Sequence, residues 1–109
     1  MNRERILQIA DDIEHSASFD QSWWHRCVAG YAVARYAPDT FKALAAGRHD
    51  GADWMEAGME VLGIDEDTAE AMFTCAMNAP PPNSYQAADA LREYVASPAG
   101  QPFKWTYAE

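Results

Sequence analysis

The chain has 109 residues, of which 49% are hydrophobic and 12% aromatic, enough to build the core of one domain spanning residues 1–109. It carries 17 acidic and 8 basic residues, and this net charge of −9 at pH 7 disfavours direct binding to nucleic acid or to anionic membranes. The first residues lack the apolar run of a secretory signal, and no segment reaches the roughly 20 apolar residues of a membrane span, so we expect a cytoplasmic protein whose two cysteines are reduced.

The spacing of the apolar residues predicts an all-α fold, a compact bundle of five or six short helices. In chain order, the predicted helices span residues 3–15, 22–36, 40–46, 52–62, 66–77 and 85–96. Asn2, Asp65 and Ser84 stand where N-caps are expected, and Gly63 stands where a helix C-terminus favours glycine. Between the third and fourth helices, Arg48-His49-Asp50-Gly51 is typical of a turn.

The run from Ser22 to Tyr36 holds two tryptophans, two tyrosines and Cys27, with few side chains that carry a charge. Because a helix that is apolar on all sides must be enclosed, we expect this one to be the buried centre of the bundle. Gly30 lowers the helix propensity of this segment, so another helix is predicted to cross closely there. A bulky substitution such as Gly30→Leu is therefore expected to destabilise the fold by overpacking.

The C-terminal run Phe103-Lys104-Trp105-Thr106-Tyr107 alternates aromatic and polar residues, a strand-like period in a chain that shows no other strand. We expect it to form an extended aromatic arm. The arm either folds back over whichever of Trp23 and Trp24 cannot face the core, or forms with it an exposed aromatic patch of the kind that marks partner sites. Pairing of the arm with its copy in a homodimer also stays open.

The residues that typically build metal or catalytic sites follow no recognisable spacing. The candidates are His15, His25, His49, Cys27 and Cys75. On a helix, His25 and Cys27 would point about 200° apart and could not bind one ion, and the chain has no Cys-x-x-Cys or His-x-x-x-His motif. We therefore predict no metal, no cofactor and no catalytic residue.

Three segments of the chain carry recognisable motifs: Cys27-Val28-Ala29-Gly30-Tyr31-Ala32, Leu62-Gly63-Ile64, and Gln86-Ala87-Ala88. With these segments the chain resembles a small helical family of unknown function found in actinobacteria and their phages, and the first segment looks like the family's Cys-x-Ala-Gly-x-Ala core. Where the family often has a second cysteine and a pair of small residues, this chain has Trp24-His25-Arg26. The resemblance implies an all-helical fold and a phage or prophage origin, and it implies no particular activity.

These observations favour a non-enzymatic module that binds another protein. The predicted contact surface consists of aromatic residues, with acidic residues nearby: Trp23, Trp54, Phe103, Trp105 and Tyr107. A first alternative is an acidic inhibitor that mimics nucleic acid and occupies the groove of a bacterial defence or regulatory protein. A second alternative is a small enzyme that uses a cysteine with a histidine, or one of the glutamate pairs Glu56/Glu60 and Glu66/Glu70.

Overall fold

Helices account for all the regular structure in the computed structural model, which describes residues 1–47, 50–76 and 79–108. The elements are α1 (Arg3–Glu14), α2 (Val28–Tyr36), α3 (Pro38–Ala46), α4 (Gly51–Leu62), α5 (Glu66–Phe73) and α6 (Ser84–Ala96), followed by one 3₁₀ turn (Thr106–Ala108). The predicted all-α bundle is thereby confirmed. None of the helices in these described ranges has the length and apolar content needed to cross a lipid bilayer.

Helix α2 is the central helix of the bundle, in contact with α1, α3, α4 and α5, while α1 also packs along α6. The buried faces of α2 and α6 are rich in alanine, including Ala29, Ala32, Ala87 and Ala88, which are fully buried. Small side chains let helices approach closely, and larger residues of α1 such as Ile9 fill the space between them. The described residues form a body with a Cα radius of gyration of 12.6 Å.

Side-chain caps fix where four of the helices begin. The carboxamide of Asn2 accepts a hydrogen bond from the Arg5 amide, and the carboxylate of Asp65 accepts one from the Thr68 amide at 2.8 Å. Hydrogen bonding by the Thr68 side chain, and to a lesser extent by its amide, lowers the pKa of Asp65. Helix α6 is capped one residue earlier than predicted, by Asn83, which forms a reciprocal capping box with Gln86.

The predicted turn lies partly outside the described residues, since it includes positions 48 and 49. Its third residue, Asp50, accepts hydrogen bonds from the amides of Ala52 and Asp53 and caps α4, and its fourth residue, Gly51, is the first of that helix. At the other end of α4, Gly63 adopts the left-handed conformation (φ +64°) that favours glycine, as predicted.

The predicted start of the central helix is wrong by six residues. Helix α2 begins at Val28 rather than at Ser22, and residues 21–27 form a series of turns. The physical reason is competition from side chains: the Asp20 carboxylate accepts from the Ser22 amide at 2.9 Å, and the Gln21 carboxamide accepts from the Val28 amide at 3.1 Å. These bonds hold the backbone in turns where the apolar pattern alone predicts a helix.

Two other helix boundaries differ from the prediction by more than one residue. Helix α3 begins two residues early, because Pro38 is well suited to the first helical position, where its missing N–H is not needed. Helix α5 ends at Phe73, and Thr74 is extended. The Thr74 hydroxyl donates to the Glu70 carbonyl, closing the last turn, while the predicted end at residue 77 lies outside the described residues.

The aromatic C-terminal arm folds back onto the bundle. Phe103 and Trp105 are buried, and their rings meet edge to face, with centroids 4.9 Å apart. The Trp105 indole N–H donates to the Thr74 carbonyl at 2.9 Å, and Tyr94 packs against Phe103. The alternating pattern therefore reflects an extended segment with one buried face, not a strand.

An ion-pair cluster links α6 to α1. The Arg92 guanidinium lies 2.7 Å from the Asp11 carboxylate and 2.9 Å from that of Glu14, and this pairing lowers the pKa of Glu14 below its ordinary value of 4.5. Because the folded pKa lies below the unfolded one, the contribution to stability is present above about pH 4.5 and is lost as the pH falls through the folded value.

We therefore expect Arg92→Gln to lower the melting temperature at pH 7 and to lower it less at about pH 3, because protonation of Glu14 weakens the ion pair as the pH falls below the ordinary value. Thermal unfolding followed by circular dichroism at both pH values measures this. Arg3→Gln, which removes an exposed arginine in the first turn of α1, is the control. A difference between wild type and Arg92→Gln that is the same at both pH values would contradict the assignment.

Candidate functional site

Of the five aromatic residues predicted to form one contact surface, Phe103, Trp105 and Tyr107 pack on one another, whereas Trp54 packs in a separate cluster and Trp23 contacts His25. Trp54 is 4% exposed, Phe103 and Trp105 are also buried, and Tyr107 is half-buried. Trp23, in contrast, has 57% of its surface exposed. The arm does not cover Trp23, and a buried side chain cannot meet a partner without local unfolding, so Trp23 is the member of the set that is available for contact.

Trp54 belongs to a small core of its own beside α2 and α3. It packs with Val33 and Leu44, and its ring meets that of Phe41 edge to face at a centroid distance of 5.7 Å. This cluster anchors α3 to α4. The burial of Trp54 is thus a matter of packing, and the structure gives it no part in an exposed surface.

Trp23 lies on a loop, here called the Trp23 loop (residues 20–27), whose backbone closes on itself. The Asp20 amide donates to the Arg26 carbonyl at 3.0 Å, and the Arg26 amide donates to the Trp23 carbonyl at 2.9 Å. The Trp23 amide in turn donates to the Asp20 carbonyl at 3.2 Å. The three main-chain hydrogen bonds constrain the loop backbone and so fix the point from which the exposed indole projects.

The side chain of Gln21 fastens the Trp23 loop to the bundle. It is 4% exposed, and its carboxamide nitrogen donates to the carbonyls of Met72 and Thr74 at 3.0 and 3.2 Å, while its oxygen accepts from the Val28 amide. The sequence analysis missed this residue. The available signal was Asp20 directly before it, because an aspartate at this point favours a turn over a continuing helix.

The two adjacent tryptophans point in different directions, as predicted for neighbours on one backbone. The Trp24 ring is half-buried over Gly51, where an added Cβ would lie only 2.6 Å from the ring. The exposed Trp23 ring packs edge-on against His25, with centroids 5.9 Å apart. Trp24 therefore secures the loop from the inside while Trp23 faces the solvent.

The backbone of the Trp23 loop packs so closely against residue 30 that only glycine fits there without a shift. A Cβ at this position would lie 2.5 Å from the Trp24 carbonyl oxygen and 2.5 Å from the His25 carbonyl carbon. The prediction that another helix crosses at Gly30 is therefore wrong, although the close approach itself is confirmed. The backbone that approaches belongs to the loop immediately before the same helix.

The two cysteines are free thiols in different environments. Cys27 is buried, its thiol donates to the Trp24 carbonyl at 3.3 Å, and burial raises its pKa from 9.0 to about 11. Cys75 is half-buried and lies near the Gln21 carbonyl. A nucleophilic cysteine needs a lowered pKa, so the surroundings of Cys27 act against that role.

The remaining candidates for catalysis or metal binding are dispersed. His15 bonds to the Asp11 carbonyl of its own helix, His25 is exposed beside Trp23, and His49 lies outside the described residues. The members of the two glutamate pairs are all exposed on helix surfaces: Glu56, Glu60, Glu66 and Glu70. In the part of the chain that the structure describes, no three histidine, cysteine, aspartate or glutamate side chains are grouped to hold a metal ion.

Comparisons of the chain with protein-family models, with curated proteins and with solved structures found no match. The role of the Trp23 loop must therefore be inferred from the chemistry of its own residues. The exposed side chains of this closed loop are those of Ser22, Trp23, His25 and Arg26.

The contact between the Trp23 loop and Gly30 can be tested with Gly30→Ala. Helix propensity alone favours alanine by up to about 1 kcal/mol, whereas the short approach to the loop backbone predicts a net loss of about 1–3 kcal/mol. Denaturant unfolding measures the difference in the free energy of unfolding between Gly30→Ala and wild type. Ala34→Gly, on the same helix, measures how much helix propensity alone contributes. A Gly30→Ala protein more stable than wild type would show that the loop does not rest on Gly30.

The thiol environments predict selective labelling. In a Cys75→Ala protein, where Cys27 is the single thiol, we expect a chromogenic disulfide reagent at pH 8 to react only after denaturant is added, because well under one per cent of Cys27 is thiolate and the sulfur is buried. In a Cys27→Ala protein, Cys75 should react without denaturant. Fast reaction of Cys27 in the native protein would contradict its burial.

Proposed function

We propose that this chain is a non-enzymatic protein-binding module and that Trp23 is its anchor on the partner. The observation that carries the proposal is the 57% exposure of Trp23 on a loop whose backbone is closed by hydrogen bonds and fixed by the buried Gln21. Tryptophan is among the residues that contribute most to protein–protein binding. A rigid loop adds to this, because little ordering entropy is lost when the complex forms.

The charge of the chain supports a partner with basic groups around its binding pocket. With 17 acidic and 8 basic residues, the protein attracts positively charged surfaces at long range, which raises association rates at low salt. We further propose a cytoplasmic setting, in which the free thiols of Cys27 and Cys75 stay reduced. We propose a phage or prophage origin on the strength of the resemblance to the actinobacterial family. The alternative of an acidic nucleic-acid mimic rests on the same net charge and predicts binding that depends steeply on salt.

The test compares three immobilised proteins in lysate from an actinobacterium, with mass spectrometry of what each retains at about 0.1 and about 1 M salt. They are wild type, Trp23→Ala and the matched control Tyr85→Ala, which removes another exposed aromatic side chain, 65% exposed, on α6. We expect one protein to be retained at both salt concentrations by wild type and Tyr85→Ala. Trp23→Ala should bind that protein at least about 30-fold more weakly, as is usual for the loss of a tryptophan anchor.

Because Trp23 is exposed, its removal should change the free energy of unfolding by less than about 0.5 kcal/mol, and circular dichroism checks that the variant folds. Equal retention by Trp23→Ala and wild type would contradict the anchor. Retention at low salt alone, unaffected by Trp23→Ala, would favour the acidic mimic instead.

A further inference from the structure

A depression of about 290 Å³ lies beside the Trp23 loop. One wall is apolar and consists of Gly30 and Ala34 of α2 with the ring of Phe41 from α3. A cavity of about 150 Å³ is enough for benzene, so this space accommodates one aromatic ring together with a small polar substituent.

Three hydroxyl groups that are bonded to one another belong to a second part of the lining, here called the hydroxyl end. The Tyr31 hydroxyl bonds to the hydroxyls of Ser16 and Ser18, the latter at 3.1 Å, and the two serine hydroxyls are also 3.1 Å apart. Tyr31 and Phe19 pack with ring centroids 6.0 Å apart, which helps to hold the phenol in position. The lining thus has a hydrogen-bonded polar end in addition to its apolar wall.

His25 and Arg26 of the Trp23 loop complete the lining. Arg26 is exposed, and it forms no ion pair with any carboxylate in the described ranges, whereas Arg92 is paired with Asp11 and Glu14. A guanidinium has only donors, so it selects an acceptor and repels a cation. A carboxylate matches its two parallel N–H groups.

We propose that this depression binds a small carboxylic acid with a single aromatic ring. The ring lies against the apolar wall of Ala34 and Phe41, and the carboxylate faces Arg26 and the hydroxyl end. Inorganic phosphate satisfies the polar end only and leaves the apolar wall exposed to water, so it binds more weakly. The site stands apart from the protein-binding role of Trp23, because it rests on the lining of the depression and not on the exposed indole.

The probe is phenylacetate, titrated into the ¹⁵N-labelled protein while amide chemical shifts are recorded. We expect saturable shifts centred on residues 16–18, 25–26 and 30–34. The comparison compounds are 2-phenylethylamine, which keeps the ring and replaces the anion by a cation, and inorganic phosphate, which keeps only the anion. A short peptide that ends in phenylalanine is a further arm: if it binds at least tenfold more tightly than phenylacetate, the acid is the C-terminus of a partner, and otherwise it is a free acid.

Two variants separate the anion contact from the apolar wall. Arg26→Gln should weaken phenylacetate binding about tenfold, as expected for the loss of a charge-assisted hydrogen bond. Ala34→Leu, a change at an exposed helical position, should abolish binding by filling the wall. Arg3→Gln, an exposed arginine on α1, is the matched control and should bind like wild type.

The amide spectrum of each variant reports directly whether it is folded. If Ala34→Leu is not folded, Arg26→Gln still decides the matter, because its side chain is exposed. The proposal is overturned if 2-phenylethylamine or inorganic phosphate binds as tightly as phenylacetate. It is also overturned if Arg26→Gln leaves the affinity unchanged, or if phenylacetate shifts no amide around the depression.

Discussion

The buried carboxamide of Gln21 is the interaction on which the rest of the structure depends. Its single acceptor and two donors are all used, by the Val28 amide and by the carbonyls of Met72 and Thr74. These backbone groups lie at the start of α2 and the end of α5, where helices leave amides and carbonyls without partners inside the helix. This one side chain therefore provides hydrogen-bond partners for backbone groups at the ends of two helices. It also attaches the loop between α1 and α2 to both helices.

Several features follow from this one contact. With Gln21 held inward, the following backbone turns over Gly30, and the Trp24 ring covers Gly51. The side chain of Trp23 is then left on the outside. The Thr74 carbonyl accepts hydrogen bonds from both the Gln21 side-chain carboxamide and the Trp105 indole N–H. The C-terminal arm is therefore attached to the bundle at the same point as the Trp23 loop. An exposed tryptophan is in this sense a consequence of how the loop is secured and not of local flexibility.

The sequence was sufficient to predict those parts of the fold that depend on local patterns. Helix α1 follows from the spacing of its isoleucines, and the caps Asn2 and Asp65 follow from side-chain chemistry that acts within three residues. The start of α2 could not be predicted in this way. Asp20 is a local turn signal, but the Gln21 side chain is held by carbonyls more than fifty positions away, and no local pattern contains that second contribution.

The candidate site was predictable to the same extent. The reasoning that neighbouring tryptophans cannot both face the core correctly placed one of them at the surface. It did not say which, because that depends on the direction in which the loop enters α2. Trp54 and Trp105 have the same side chain as Trp23, and their burial is decided by α3 and by the folded-back arm. Residue type therefore identified candidates, and tertiary packing selected among them.

The central claim is that the Trp23 loop is held in a single conformation by buried hydrogen bonds. Amide hydrogen exchange, followed residue by residue by NMR, tests it most directly, because the Val28 and Arg26 amides report on the Gln21 contact and on the closure of the loop. We predict that the Val28 amide exchanges as slowly as the buried interior of α2, at Ala32, and that the Arg26 amide is also protected. Exchange of both amides at the rate of an unstructured peptide would contradict the account.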